Sequence, residues 1–232
     1  MSAMNDPADL QRLYRIRFSG DIAAHNRAVT WQVLCSEWFP RYVRPDDTVL
    51  ELGAGGGEFI NSVRAARRIA VDLNPDVAGN MAPEVEFHQV PADRIPGIAD
   101  SSVDVVFSSN FFEHLGTAET LLAVLGESHR VLRPSGRLIT LMPNLAALGP
   151  RYFDFLDHTL PLTDKSLVEA LLMAGFLPDE VIPRFLPFTA SDVGRRVRPG
   201  VVSAYLRARP AWRLLGKQMF VVARKPDAVV TG

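Results

Sequence analysis

The sequence predicts an α/β protein built on a mostly parallel sheet with helices on both faces. Three observations carry this reading. An apolar run ends in an acid and breaks into glycines, Val49-Leu50-Glu51-Leu52-Gly53-Ala54-Gly55-Gly56-Gly57-Glu58-Phe59; short apolar strands alternate with helical segments from Thr48 to Met142; and the strands close on small or polar residues. Strands joined through helices imply right-handed crossovers and parallel pairing. Ligands of such sheets bind beyond the carboxyl ends of the strands, where Gly53, Asp72, Asp93 and Asn110 fall.

The first element is a buried strand, Thr48 to Leu52, and a helix over residues 56–65 follows the glycines at once. The glycines permit positive φ and let a ligand lie on bare backbone. A dinucleotide fingerprint, G-x-G-x-x-G, wants its third glycine where Glu58 stands, and a carboxylate there would face a pyrophosphate. An NAD-dependent oxidoreductase is therefore disfavoured. The pattern is instead Glu51-x-Gly53-x-Gly55-x-Gly57, whose acid suits a cationic ligand end. The second strand closes on Val71-Asp72-Leu73, and an acid about 20 residues past such glycines is placed to accept hydrogen bonds from ribose hydroxyls. Residues 85–90 alternate as a third strand before Pro91-Ala92-Asp93-Arg94, and residues 102–110 form a fourth that closes on Ser109 and Asn110. After Phe111-Phe112-Glu113-His114-Leu115 come a helix over 117–131 and a turn into a fifth strand over 132–144. An irregular loop, 145–161, leads to a helix over 164–174 stopped by Gly175, and Gln218 to Arg224 reads as the last strand.

An acid followed by three alternate glycines, with Asp72, Asp93, Ser109-Asn110 and the 132–144 turn in order, resembles the class I S-adenosylmethionine-dependent methyltransferases. The resemblance covers about residues 47–182, with Ser135 in place of one of the family's two turn glycines. It implies a Rossmann-like class I methyltransferase fold: a mostly parallel seven-stranded sheet, helices on both faces and an antiparallel last strand. It also implies S-adenosyl-L-methionine as cofactor, held by Glu51, Gly53, Ala54, Gly55, Gly57, Asp72, Leu73, Ala92, Asp93, Ser109 and Asn110. In the family the acid after the third strand meets the adenine amino group, and the fourth strand ends beside the methyl group. Residues 47–232 would form the methyltransferase domain. Residues 1–46 would form a helical pre-segment, with a helix over 21–38 that either lids the pocket or covers a sheet edge; Arg15, Arg17 and Phe18 precede that helix as candidate contacts to substrate or cofactor.

The tyrosine, aspartate-histidine and proline-leucine-threonine order of the loop is similar to bacterial methyltransferases from glycan and secondary-metabolite clusters. The expected function is thus O-methylation of a small metabolite or sugar-containing acceptor, with N-methylation or a non-catalytic cofactor-binding scaffold as alternatives. Methyl transfer from a sulfonium depends first on alignment, which supplies roughly 7–11 kcal/mol, while a general base adds about 3–5 kcal/mol. His158 is the expected base, its tautomer fixed by Asp157 or Asp154; the other reading is that Asp157-His158 anchors the loop. His114 is the second candidate, or a support of the cofactor pocket. Tyr152 and Phe155 are expected acceptor walls. No His, Asp and Glu set shows metal-ligand spacing, so no metal is expected.

With 232 residues the chain is long enough for one core, and a net charge of −1 gives no general attraction to nucleic acid. The lone Cys35 excludes an internal disulfide and reads as a buried structural thiol. Without a leading apolar run the expected location is cytoplasmic. A helical basic insertion, about 184–216, carries Arg195, Arg196, Arg198, Arg207, Arg209, Arg213 and Lys217 among apolar residues. It is either a membrane-surface or anionic-lipid patch, a docking face for a phosphorylated acceptor, or an amphipathic helix pair with a solvated basic face.

Overall fold

A computed structural model describes residue 12, residues 20–187 and residues 196–227. Arg15, Arg17, Phe18 and Arg195 lie outside the described residues. Seven strands form one sheet in the order β3-β2-β1-β4-β5-β7-β6. They are β1 (Thr48–Leu52), β2 (Arg67–Val71), β3 (Val85–His88), β4 (Val103–Ser109), β5 (Leu132–Pro143), β6 (Leu177–Ile182) and β7 (Gln218–Arg224). The first five are parallel, and β7 runs antiparallel to both β5 and β6. This is the Rossmann-like class I methyltransferase topology that the sequence predicted, antiparallel last strand included.

Alternation along each strand divides the core into two layers. Val49, Ala70, Val105, Phe107, Ile139, Leu141, Phe220 and Val222 point to one face, which α1 (Asp21–Val33), α2 (Glu58–Ser62), α5 (Pro199–Arg207) and α6 (Arg209–Leu215) cover. Leu50, Leu52, Ile69, Val71, Val106, Leu138, Met142 and Val221 point to the other, under α3 (Ala118–Val131) and α4 (Asp164–Met173). Helix ends follow local chemistry. The Thr117 hydroxyl accepts the Thr120 amide to start α3, Thr163 and Ser166 form a capping box at α4, and Gly175 at φ 86° ends it.

Four elements differ from expectation. The helix after the glycines is one short piece, because Val63 turns extended into the core and the Ala66 amide bonds the Asp47 carbonyl, drawing the chain into β2. The pre-segment helix changes pitch, with a π turn at Leu34–Trp38 and a 3-10 turn at Phe39–Arg41 that contains Pro40. The 145–161 loop is partly helical, since the Asn144 side chain caps a turn over Leu145–Leu148 and a 3-10 turn, Gly149–Asp154, follows. β6 was not marked as a strand in the sequence: Pro178, Asp179 and Glu180 mask it, and it sits at the sheet edge where such residues are tolerated.

The basic insertion is a helix pair. Tyr205 donates to the Phe185 carbonyl, the Trp212 indole donates to the Tyr205 carbonyl, and Trp212 packs edge-on against Trp38. Among the described residues no helix is long and apolar enough to cross a membrane.

Phe107 sits at the centre of the first layer, fully buried, stacked on Phe59 at 3.8 Å and edge-on to Phe39 and Trp31. Phe107→Ala should lower unfolding free energy by about 3–5 kcal/mol in denaturant titration. A loss below about 1 kcal/mol would mean that this cluster does not hold the layer together.

Candidate functional site

The site begins where β1 ends. Glu51 alternates with Val49 and so points into the first layer, where its carboxylate accepts the Ile60 amide at 3.1 Å. That bond satisfies one of the orphan donors in the first turn of α2. The Gly53 and Ala54 amides bond the Val71 carbonyl at 2.8 and 3.2 Å, and the Gly55 amide bonds Asp72 at 2.9 Å. The other oxygen of Asp72 accepts the Asn74 amide at 2.8 Å. The turn is therefore tied to the end of β2 on two levels. Glycine is required at two of its positions: Gly53 has φ 67° and its absent Cβ would fall 2.6 Å from the Phe111 ring, while Gly57 has φ 72° and faces Met81 at 2.7 Å.

The electrostatics of the turn are negative. Burial first, then the charges of Glu58 and Asp72, raise the Glu51 carboxyl well above its ordinary value despite the Ile60 hydrogen bond. Burial also raises Asp72, against amide donors at Asn74, Gly55 and Leu73. Glu58 is itself held by Arg27 of α1 at 2.9 Å, so the pre-segment is fastened to the turn. Nothing in the sequence marks Arg27 for this contact. A surplus of carboxylate around bare backbone favours a cation. Cys35, whose thiol burial pushes up, is an inert neighbour on this layer.

Leu52 pairs in register with Ser108, so Ser109, the last residue of β4, and Asn110 just after it lie beside Gly53. Asn110 adopts φ 47°, and its side-chain oxygen accepts from Gln218 at 2.8 Å. Gln218, at the start of β7, is a residue that sequence reasoning missed. Leu73 is exposed after β2; Ala92 is buried and Asp93 exposed in the turn that follows β3. The sequence-derived residues Glu51 to Gly57, Asp72, Ser109 and Asn110 thus meet at adjoining strand ends.

A second group forms just past β4. Phe112–His114 make a 3-10 turn in which Glu113 is fully buried. His114 Nδ1 lies 2.9 Å from the Asp157 carbonyl and 3.1 Å from its carboxylate, and Nε2 lies 3.9 Å from Glu113. His158 is buried, with Nδ1 2.7 Å from the Tyr152 carbonyl and its ring 5.1 Å from that of His114. The loop is docked here by the Leu160 amide on the Glu113 carbonyl at 3.0 Å. Burial lowers the affinity of His114 for a proton, but the Asp157 bond and the charges of Glu113 and Asp157 outweigh it and hold the ring above its usual value.

Two expectations change in detail. The His158 Nδ1 proton is fixed by the Tyr152 carbonyl, and the Asp157 carboxylate is aimed at His114; Asp154 pairs instead with Arg151. Tyr152 is fully buried, with its hydroxyl on the Leu160 carbonyl and the Leu162 amide, so it holds the loop's shape and presents no wall to an acceptor. Phe155 lies against the His158 ring at 5.0 Å. The apolar side chains offered to solvent are Phe153, 57% exposed, and Leu156, 83% exposed.

Comparison with known proteins agrees with this geometry. The family described as a methyltransferase domain matches residues 50–140. A probable S-adenosylmethionine-dependent methyltransferase of Mycobacterium tuberculosis is 32% identical over 153 residues, covering 63% of this chain and 54% of the relative. A malonyl-[acyl-carrier protein] O-methyltransferase of Methylococcus capsulatus is 36% identical over 104 residues, covering 40% of this chain and 36% of the relative. The chain spans about half the length of the curated relatives it matches first. Among solved structures, an S-adenosylmethionine-dependent methyltransferase from Archaeoglobus fulgidus superposes with a TM-score of 0.64 at 20% identity, over 94% of this chain and 100% of that one.

The raised Glu51 makes stability depend on pH in a definite direction. The folded chain keeps this proton to higher pH than the unfolded chain, whose value is near 4.5, so the contribution of Glu51 to stability falls as pH rises through the interval between the two. Glu51→Gln keeps an acceptor for Ile60 and removes the charge. Its unfolding free energy relative to the parent should therefore be higher at about pH 8 than at about pH 5 in denaturant titration. A difference independent of pH would contradict the assignment of a buried, strained carboxylate.

Proposed function

We propose, from the match of residues 50–140 to the methyltransferase-domain family, that this chain is an S-adenosylmethionine-dependent methyltransferase acting on an oxygen of a small metabolite or sugar-containing acceptor. The observation that carries the proposal is the carboxylate-rich glycine turn. Glu51, Glu58 and Asp72 surround a turn in which Gly53 and Gly57 are held at positive φ with Phe111 and Met81 filling their Cβ positions, so neither can be replaced by a larger residue. Such a turn repels a pyrophosphate and suits a cofactor that bears positive charge. When bound, S-adenosylmethionine supplies a methyl group activated by sulfonium.

Residues of this chain have separate tasks in the proposal. Glu51 fixes α2 and sets the negative field. Asp72, already oriented by the Gly55 and Asn74 amides, accepts from ribose hydroxyls, and Asp93 faces the adenine. Ser109 and Asn110 line the methyl side. The acceptor lies beneath the 145–161 loop, against Phe153, Phe155 and Leu156. His158 carries its own proton on Nδ1, so Nε2 takes the acceptor's proton as its oxygen attacks; His114, oriented by Asp157, stands beside it. Much of the barrier is met by alignment, and the base adds about 3–5 kcal/mol.

Calorimetric titration with S-adenosylmethionine, S-adenosylhomocysteine and NAD in parallel tests the cofactor. The first two should bind and NAD should not. Asp72→Ala should weaken S-adenosylmethionine about ten- to hundredfold, the equivalent of a hydrogen bond to a charged acceptor. Heat from NAD alone, or undiminished binding by Asp72→Ala, would contradict the proposal.

A further inference from the structure

We propose that Glu113, His114 and His158 form a binding site for one divalent first-row transition-metal ion, with Zn²⁺ as its simplest occupant. Donor atoms from these three side chains lie within 4.8 Å of one another. That spacing suits a small cation at bond lengths of about 2.0–2.2 Å, once the side chains close slightly around it. Two imidazoles and one carboxylate are a ligand set of catalytic zinc and other first-row metals, in which remaining positions stay open to water or substrate.

The orientation of both rings supports the same conclusion. An imidazole that holds a metal through one nitrogen donates its other N–H to a carbonyl or carboxylate, which fixes the tautomer and raises ligand basicity. His158 does this through Nδ1 to the Tyr152 carbonyl, and His114 through Nδ1 to the Asp157 carbonyl and carboxylate. In each ring Nε2 is then the lone-pair atom. The Tyr152 phenol is in turn fixed by the Leu160 carbonyl and the Leu162 amide, and the Leu160 amide bonds the Glu113 carbonyl. The whole 152–162 segment therefore frames the group.

The surroundings fit a cation. Glu113 is 0% exposed. The His114 side chain is a quarter exposed, which leaves an entry path on its side. The cation site stands apart from the methyltransferase reading; what rests on that reading is its use. Beside the end of β4 the ion would take an acceptor oxygen as a further ligand, positioning it and favouring its ionised form; with the His158 Nε2 lone pair then on the ion, that ionisation replaces proton uptake by His158 as the means of activating the acceptor.

The test uses the full chain, stripped by chelator and without S-adenosylmethionine. Titration with Co²⁺ should give visible absorption bands that saturate at one ion per chain and disappear on adding equimolar Zn²⁺. Glu113→Gln, His114→Gln and His158→Gln should each weaken Co²⁺ by at least about tenfold. His114→Gln, at the partly exposed position, serves as the variant whose far-ultraviolet circular dichroism should match the parent. Absence of bands in the parent chain, or bands undiminished in a folded His114→Gln chain, would overturn the site. Metal binding without S-adenosylmethionine binding would instead leave the site standing and remove the proposed function.

Discussion

The structure depends most on one buried contact, the Glu51 carboxylate on the Ile60 amide. It joins the last core residues of β1 to the first turn of α2 across four glycines and an alanine. Together with the amide bonds of Gly53, Ala54 and Gly55 to Val71 and Asp72, it fixes the path of a turn whose glycines carry no side chains. The contact places an acid inside the first layer at the cost of burying charge, and Glu58 and Asp72 add to that cost. A fold that retains such an arrangement gives up stability at this turn.

From that contact the rest of the site follows by register. β1 lies between β2 and β4, so Asp72 and Ser109 flank the turn. Phe111 closes on Gly53, which fixes where the chain leaves β4 and hence where Glu113 and His114 stand. The 145–161 loop then folds back onto this turn through the Leu160 amide, bringing His158 to His114. The glycine turn and the Glu113–His114–His158 group are thus parts of one connected assembly, joined through Phe111.

Much of this was legible in the chain. The alternating apolar runs and the Glu51-to-Gly57 pattern give β1 to β5, and Gln218 to Arg224 gives β7 at its observed bounds. Local patterns fail where long-range contacts decide. β6 hides behind Pro178, Asp179 and Glu180 because an edge strand needs no apolar run. The length of α2 depends on where Val63 packs and on the Asp47 carbonyl, neither of which the helix carries in its own sequence. The pairing of His114 with Asp157, and the nearness of His158, come from a loop that crosses back over the sheet, so no local spacing reveals them. Asp157 and His158, read as one acid-imidazole pair, divide their contacts: the acid serves the other histidine.

The central claim is that the negative field of the glycine turn, with Glu51 at its base, recognises a cationic cofactor. The most direct measurement is the calorimetric affinity of Glu51→Gln for S-adenosylmethionine at about pH 8, where the variant is expected to differ most from the parent, with cooperative unfolding checked in the same preparation. The account predicts a folded chain whose affinity falls about tenfold or more, the worth of about 1.4 kcal/mol or more of lost attraction. A folded Glu51→Gln chain that binds S-adenosylmethionine as tightly as the parent would contradict it.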